Sequence, residues 1–492
     1  MALLSARRSA CVLSAVAATA LMAPSLASAK KTPPPEQCSG VTTLEGKGST
    51  LQNNAQQKVW TQDFSTSLNG TACNGKNVGD ESISVVYNAT GVEGGTGSVQ
   101  GMEAFGLNGQ TSKVKKFNYV GTDEPPNEEQ LKEMETANNG TKIESIPVLQ
   151  ASVAILVHLP KGCTAENTTD SEAIGRFVFT NATLGKIFQG ELKSWKSILE
   201  AEKTAGDTIK GKSPAEQKEC EEDEFKVIVR KDGSGTTHIV KRYLGLIEPR
   251  NTPFELEEGV AGEKSGAVYT WSGTNDIDQG NLNTAWPKAL NKERECNDTC
   301  EGGGELAHWV STTENTIGYA NLSDARGHGF GKKAGTAGSG TPVFWAPIEN
   351  APAKGKKPAH FADPSTDGEA SETFTNANCE ETKFTNGTEK FPPKSTLDSW
   401  AAVTTATTEK HYTLCGLTYD LAFTSYKQAI GGTTEGEQKE DEAIGTSVRN
   451  YLQFELSETG VESGQALIHN FDYLKLTSKL DKTATKGAAE VF

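Results

Sequence analysis

The stretch FKVIVRKDGSGTTHIVKRYL, Phe225 to Leu244, reads as strand, tight turn and helix. Phe225, Val227, Ile228 and Val229 make a β-branched and aromatic run of strand length. Asp232, Gly233, Ser234 and Gly235 break it with turn chemistry. Ile239, Val240, Tyr243 and Leu244 then recur at helical spacing. A Gly-Ser-Gly-Thr turn opening a helix offers backbone N–H groups and hydroxyls at the positive end of the helix dipole, which suits an anion. Arg230, at the strand end, adds a fixed fork for a tetrahedral oxyanion. Asp232 is close enough in sequence to hold that guanidinium. The same letters also suit a plain capped turn with a surface arginine, so context has to decide.

Working outward, the pattern recurs. Val41 to Leu44 leads into Gly46-Lys47-Gly48-Ser49-Thr50, after which Leu51, Ala55 and Val59 repeat every four residues, with Phe64 on the continuing helix. Ile83 to Tyr87 is a strand that passes through a glycine-rich loop into Gly95-Thr96-Gly97-Ser98, followed by Val99, Met102 and Phe105. Phe117 to Val120 is a short strand ending in Gly121-Thr122-Asp123. Gly338-Ser339-Gly340-Thr341 has the same letters, but Pro342 follows and no helical pattern does. Three hydroxyl-bearing helix starts, one arginine and one strand-end aspartate form a convergent set. In open α/β sheets ligands sit at the carboxyl ends of strands.

Ile146 to Leu159 is an almost continuous apolar run, read as a buried parallel strand and a crossing between domains. His158 at its edge reads as a structural histidine. Leu184 to Gly190 and Trp195 read as a helix and its docking turn. Residues 201–224 are Lys/Glu-rich and read as a solvated insertion. Ile317-Gly318-Tyr319 lies in a strand suited to the return crossing. Residues 332–400, rich in Gly, Pro, Thr, Lys and Ala, read as a long decorated insertion on one face. Val448, Tyr451, Leu452 and Leu456 give a helix face. No tandem repeat of about 20–50 residues is visible.

The chain has 492 residues, comfortable for two domains. Residues 1–29 read as a secretory signal: Arg7 and Arg8, an apolar Cys11 to Met22, then Ala27-Ser28-Ala29. No second apolar run of spanning length follows, so the mature protein is expected to be soluble and exported. No Leu-x-x-Cys marks the cleavage point, and no lipid anchor is expected. Beyond Cys11 eight cysteines remain, an even number that fits disulfides in an exported chain. Taken sequentially they pair 38–73, 163–220, 296–300 and 379–415. Cys296 and Cys300 lack the second close pair or clustered His of a zinc site. The formal charge of −16 becomes −18 once Arg7 and Arg8 leave with the signal. That excludes a nucleic-acid or anionic-membrane partner as the natural reading, and leaves any anion to local dipoles and donors. Asn-x-Ser/Thr sequons, as at Asn69, Asn88 and Asn386, fit chance in a Thr- and Asn-rich chain.

Together these landmarks resemble the phosphate-binding proteins of high-affinity phosphate ABC importers, a family of the two-lobed periplasmic binding proteins. Arg230-Lys231-Asp232-Gly233-Ser234-Gly235-Thr236 resembles its R-x-D-G-S-G-T, Gly48-Ser49-Thr50 its G-S-T, and Gly95-Thr96-Gly97-Ser98 its G-T/S-G-S. Asp123 falls where the family has an aspartate after a short strand, Ile317-Gly318-Tyr319 matches its I-G-Y, and Phe471 to Leu474 its C-terminal Y-x-x-L region. The likeness spans the mature chain apart from 201–224 and 332–400. Leu51 replaces the family's usual aromatic, and the loop Gly91 to Gly94 is long and carries an acid, Glu93. That leaves Ser98 and Thr96 as alternatives for one ligand position.

The resemblance implies an α/β two-lobed fold of the type II kind, each lobe a mixed sheet flanked by helices, with long insertions. Lobe I would be 30–150 and 321–492, with the 332–400 insertion, and lobe II 151–320, with 201–224. It implies phosphate ligands Thr50, Leu51, Ser98, Asp123, Arg230, Ser234, Gly235 and Thr236, with Asp232 behind Arg230, no catalytic residue, no metal and no cofactor. The protein would be a periplasmic or cell-surface monomer that closes over inorganic phosphate and passes it to a membrane ABC permease. Phosphate near neutral pH carries a proton and sulfate does not. An ionised Asp123 accepts that proton's hydrogen bond, and a buried acceptor left unpaired by sulfate is worth about 10⁴–10⁵ in affinity. Other oxyanions (arsenate, sulfate, molybdate), or a secreted surface-interaction protein that kept the fold, are the alternatives. As a hydrolase the chain fits poorly: Ser234 is not in a G-x-S-x-G elbow, and the seven His are dispersed. No Gly-Lys-Ser/Thr follows the turn to make a P-loop.

Overall fold

Sixteen consecutive residues, Ile143–His158, run as one strand with every residue buried, and the sheet is assembled around it. In the computed structural model the described residues are 41, 43–66, 83–93, 95–168, 173, 175–203, 205–247, 252–259, 262–264, 266–271, 277–293, 301–336, 342–350, 360–366, 379, 384–386, 393–405, 411–458 and 463–492. The expected signal, Cys38, Cys73, Cys296, Cys300 and the Gly338 to Thr341 repeat lie outside them. Residues 37–492 form one unit.

In chain order the strands of the main sheet are β1 (Thr43–Gly48), β2 (Ser84–Tyr87), β3 (Tyr119–Thr122), β4 (Ile143–His158), β5 (Lys226–Ile228), β6 (Lys292–Glu293), β7 (Thr316–Asn321), β8 (Gly335–Thr336), β9 (Pro342–Ala346) and β10 (Cys415–Phe423). They lie in the order β6-β5-β7-β4-β10-β3-β1-β2, with β9 also on β4 and β8 on β9. β1 is parallel to β2 and β3, and β5 is parallel to β6 and β7. β4 is antiparallel to β7, β9 and β10, which corrects the expected parallel strand. Burial on both faces gives an unbroken apolar run whichever way the neighbours point, so composition did not carry direction. β10 pairs along Ile143 to Ser152, while β7 and β9 flank the end of the strand up to His158. At about 3.3 Å per residue β4 is roughly 50 Å long, and both halves of the sheet hang on it. Where β10 passes Pro147, the register slips: Thr418 faces Leu149 and Tyr419 faces Pro147, leaving Val148 as a bulge. Proline has no N–H for the ladder, and a bulge turns the local strand.

The helices that matter are α1 (Ser98–Ala104), α2 (Gly235–Ile247), α3 (Gly303–Thr312) and α4 (Glu435–Glu455). A further helical run over 53–66 has a π turn at Gln56–Trp60. The wider turn lets Val59, Trp60 and Phe64 all reach the core. α4 starts on a Thr434/Glu437 capping box and buries Val448, Tyr451 and Leu452, the face expected from spacing. Two of the expected disulfides, Cys163–Cys220 and Cys379–Cys415, are formed. Residues 201–224 carry an exposed helix, Pro214–Glu222, pinned by Cys220. The 332–400 stretch is less peripheral than its composition implies. β9 joins the main sheet, and Arg176 makes a buried bidentate pair with Asp363 at 2.6 and 3.1 Å. His158 is buried with Nδ1 at 2.7 Å from the Val310 carbonyl, a structural role. No helix among the described residues is long and apolar enough to cross a membrane.

Candidate functional site

Parallel pairing of β1 with β3 sets Gly48 opposite Gly121, so both strands end side by side. Gly48 has φ +140°, and a Cβ there would lie 2.0 Å from the Gly121 carbonyl oxygen. Only glycine permits that approach. Asp123 follows β3 directly, and Ser49 N–H donates to Gly121 O at 2.8 Å. The turn before α1 closes on the same spot, with Gly97 N–H donating to Gly48 O at 2.9 Å. From the other half of the sheet, the turn after β5 meets it. Val99 N–H donates to Gly233 O at 3.1 Å, and Ser98 Oγ accepts from both Asp123 N–H (3.1 Å) and Gly235 N–H (3.2 Å).

Arg230 is buried, its Nε 2.5 Å from Asp232 Oδ1 and its Nη2 on Oδ2, so Asp232 grips the guanidinium as expected. Ser234 Oγ caps α2 by accepting from Thr237 N–H at 3.2 Å. The Thr236 hydroxyl is buried and has no hydrogen-bond partner among the described residues. Thr50 Oγ1 accepts from Gly303 N–H, the first residue of α3, at 3.1 Å. Leu51 N–H donates to Ser49 Oγ at 3.1 Å. Of the two alternatives in the second loop, Ser98 is fully buried in this cluster and Thr96 is half-exposed. Glu93 does not face the cluster. Its carboxylate is drawn out to Lys113 (2.7 Å) and Lys116 (3.0 Å) on the surface.

Asp123 is fully buried, and burial pushes its carboxyl up to about 6 against the hydroxyls of Ser49 and Thr418 and the charge of Arg230. Thr418 Oγ1 donates to Asp123 Oδ1 at 3.0 Å, and Ser49 Oγ donates to the same oxygen. Glu124, next along, is pushed up to about 8 by burial and accepts from Gly280 N–H (2.7 Å) and Asn283 Nδ2 (3.0 Å). Asn283 also clamps the Ser234 turn, its Oδ1 accepting from Ser234 N–H at 2.9 Å and its Nδ2 donating to Ser234 O at 3.0 Å. Ser49, Thr418, Glu124 and Asn283 are the members that the sequence reading missed. Ser49 and Glu124 stood inside quoted motifs or one residue beyond, while Thr418 and Asn283 carry no local signal. His238 turns its Nδ1 to Asp278 (carbonyl 3.1 Å, carboxylate 3.2 Å), and Arg242 pairs with the same carboxylate. A cleft opens beside Asp123 between α2 (His238, Ile239, Arg242) and β10 (Leu417, Tyr419). Among the described residues no group of three or more His, Cys, Asp or Glu is placed to hold a metal ion. The site thus gathers N–H and hydroxyl donors, one buried cation with its paired Asp232, and the buried carboxyls of Asp123 and Glu124. Such a set can bind a protonated oxyanion.

A family model described as a PBP superfamily domain matches residues 33–471. No curated protein matches the chain. Among solved structures, a high affinity periplasmic phosphate-binding protein bound with phosphate is similar at a TM-score of 0.50 and 15% identity, over 90% of this chain and 93% of that one. An ancestral soluble variant of the human phosphate binding protein gives 0.50 and 15%, over 89% and 92%. A DING protein gives 0.50 and 14%, over 90% and 93%. At such identities the likeness is one of fold, and the mixed α/β periplasmic-binding-protein architecture expected from the motifs is the one the chain has.

Proposed function

Since the chain belongs to the PBP superfamily, we propose that it captures inorganic phosphate, without catalysis, between the turns that open α1 and α2. The observation that carries this reading is the Thr236 hydroxyl, a buried donor at the start of α2 without a partner among the described residues, one residue after Gly235, where a Cβ would lie 2.5 Å from Asp123 Oδ2. A buried hydroxyl left unpaired costs about 1–3 kcal/mol, and an oxyanion at the helix start removes that cost. Thr50, Ser98, Ser234 and Thr236 supply hydroxyl donors, Arg230 offsets the charge, and Asp232 orients Arg230, while the Leu51 and Gly235 N–H groups are engaged by Ser49 Oγ and Ser98 Oγ. Asp123 accepts a hydrogen bond from the protonated oxygen of the phosphate and so disfavours sulfate. Lobe opening would admit the anion and closure bury it, and the exported, monomeric protein would hand it to a membrane ABC permease. Calorimetric titration of phosphate-stripped mature protein tests this. Phosphate should bind tightly and sulfate should give no heat. Arg230→Ala should lose several kcal/mol of affinity, about 3–5, by leaving a buried anion uncompensated. Absence of binding to both anions by the wild-type protein would end the reading.

A further inference from the structure

We propose that Ser49 and Thr418 are positioning residues that lock one oxygen of Asp123 as an acceptor, confine its proton exchange to the other, and so set the pH range of anion selectivity. The proposal rests on the phosphate reading above.

Asp123 Oδ1 receives two hydroxyls, Ser49 Oγ and Thr418 Oγ1. Behind each hydroxyl stands an N–H. Leu51 N–H donates to Ser49 Oγ at 3.1 Å, and Gln52 Nε2 donates to Thr418 Oγ1 at 2.6 Å. A hydroxyl has a single proton, so one that accepts from behind directs its own proton forward. Thr418 has a second acceptor in reach, Thr122 O, at the longer distance of 3.3 Å. The orientation of Gln52 is fixed from deeper in the core. Its Oε1 accepts from Gln56 Nε2 at 3.1 Å. That nitrogen is the donor because it also faces Glu455 Oε1 at 2.9 Å, while Gln56 Oε1 takes the Tyr119 and Tyr451 hydroxyls. Donation therefore runs one way from Gln56, through Gln52 and Thr418, to Asp123 Oδ1. A proton on Oδ1 would meet two others. Oδ2 is the oxygen turned to the α2 turn: a Cβ built on Gly235 would lie 2.5 Å from it.

Other charged or titratable groups face Asp123: Arg230 and Asp232 from the β5–α2 turn, Glu124 beside it, and His238 and Arg242 across the cleft. The hydroxyls of Tyr87, Tyr419 and Tyr473 also sense its charge. The two hydroxyls on Oδ1 are what make its oxygens unequal. Ionised, Oδ2 accepts a hydrogen bond from a protonated oxyanion and repels one without a proton. Protonated, it donates, and the fully deprotonated oxyanion fits. Both hydroxyls favour the ionised form against burial, so removing either moves the loss of selectivity to higher pH.

The experiment uses the full mature protein, with Thr418→Val, Ser49→Ala and Thr418→Ser. Infrared difference spectra follow the protonated carboxyl band of Asp123, identified by its loss in Asp123→Asn. Calorimetry follows the phosphate-to-sulfate affinity ratio from pH 5 to 8. Each hydroxyl removal should raise the carboxyl midpoint by about one pH unit, Thr418→Ser should restore it, and the ratio near neutral pH should fall about tenfold. A midpoint unmoved in folded Thr418→Val and Ser49→Ala overturns the proposal. A midpoint that moves while sulfate stays excluded overturns its specificity half. A midpoint that moves while the wild-type protein binds neither anion overturns the phosphate reading and that specificity half together, with the locking of Oδ1 upheld by the infrared data alone.

Discussion

Gly235 has room for a hydrogen and little else. A methyl there would lie 2.5 Å from Asp123 Oδ2 and from Ser98 Oγ, and 2.6 Å from Asp123 Cβ. Gly235→Ala should therefore wedge the α2 turn away from the β3 end, cost about 1–3 kcal/mol of stability, and weaken phosphate binding. Denaturant midpoints and calorimetry check it. A variant with unchanged stability and affinity would show that the two turns do not touch in solution. At this scale the sequence was informative wherever chemistry and local geometry coincide. Arg230 and Asp232 sit two apart on one turn and pair across it. Ser98 and Asp123 terminate recognisable loops. Ser49 was visible yet passed over in favour of Thr50, since only the fold shows which hydroxyl of the pair turns toward β3. Thr418 stands on a fully buried strand, and its side chain reaches Asp123 beside the bulge at Val148. No pattern in its own neighbourhood foretells that.

Secondary structure followed from periodicity, but its assembly did not. β5, α2, β7 and α4 are where the spacing puts them. The direction of β4 was not encoded in its apolar run, and β9 was hidden because PVFWA is short and set among glycine, proline and threonine. One contact that fixes α2 to the site was equally hidden. The Lys241 ammonium, on α2, lies within hydrogen-bond reach of four backbone carbonyls, those of Ile277 (2.9 Å), Leu282 (3.2 Å), Asn283 (2.7 Å) and Ala285 (2.6 Å), which share its three N–H donors. It also lies 4.9 Å from the Trp286 ring centroid. It thereby folds the loop that carries Asn283 onto the helix. Lys241→Met should leave buried carbonyls unmet at a cost of about 2–4 kcal/mol. Amide exchange over 277–285 should quicken, and phosphate affinity should drop through the freed Ser234 turn. Unaltered exchange in that loop would refute the tether.

Across the molecule several carboxyls are buried and hold their protons late. Burial raises Asp123 to about 6, Asp420 to about 7, and Glu124 and Asp207 to about 8. In the unfolded chain they ionise near pH 4. Between those values the folded protein binds protons that the unfolded chain has released, so stability falls as pH rises. His158 and His328, held below their usual range by burial, act in the opposite sense on the acid side. Lys47, lowered by burial to about 8, acts oppositely above that pH. In the window left, pH 6.5 to 8, the urea unfolding free energy should drop by about 4 kcal/mol. A flat or rising profile there would contradict the burial of these acids. The long strand β4 has a different consequence. Because its first ten residues are paired by β10 and its remainder by β7 and β9, neither half of the sheet owns it. A gene segment encoding either half alone would leave the other with a raw edge of unpaired amides. Neither half of such a sheet can be cut away without baring the edge that the other half leans on.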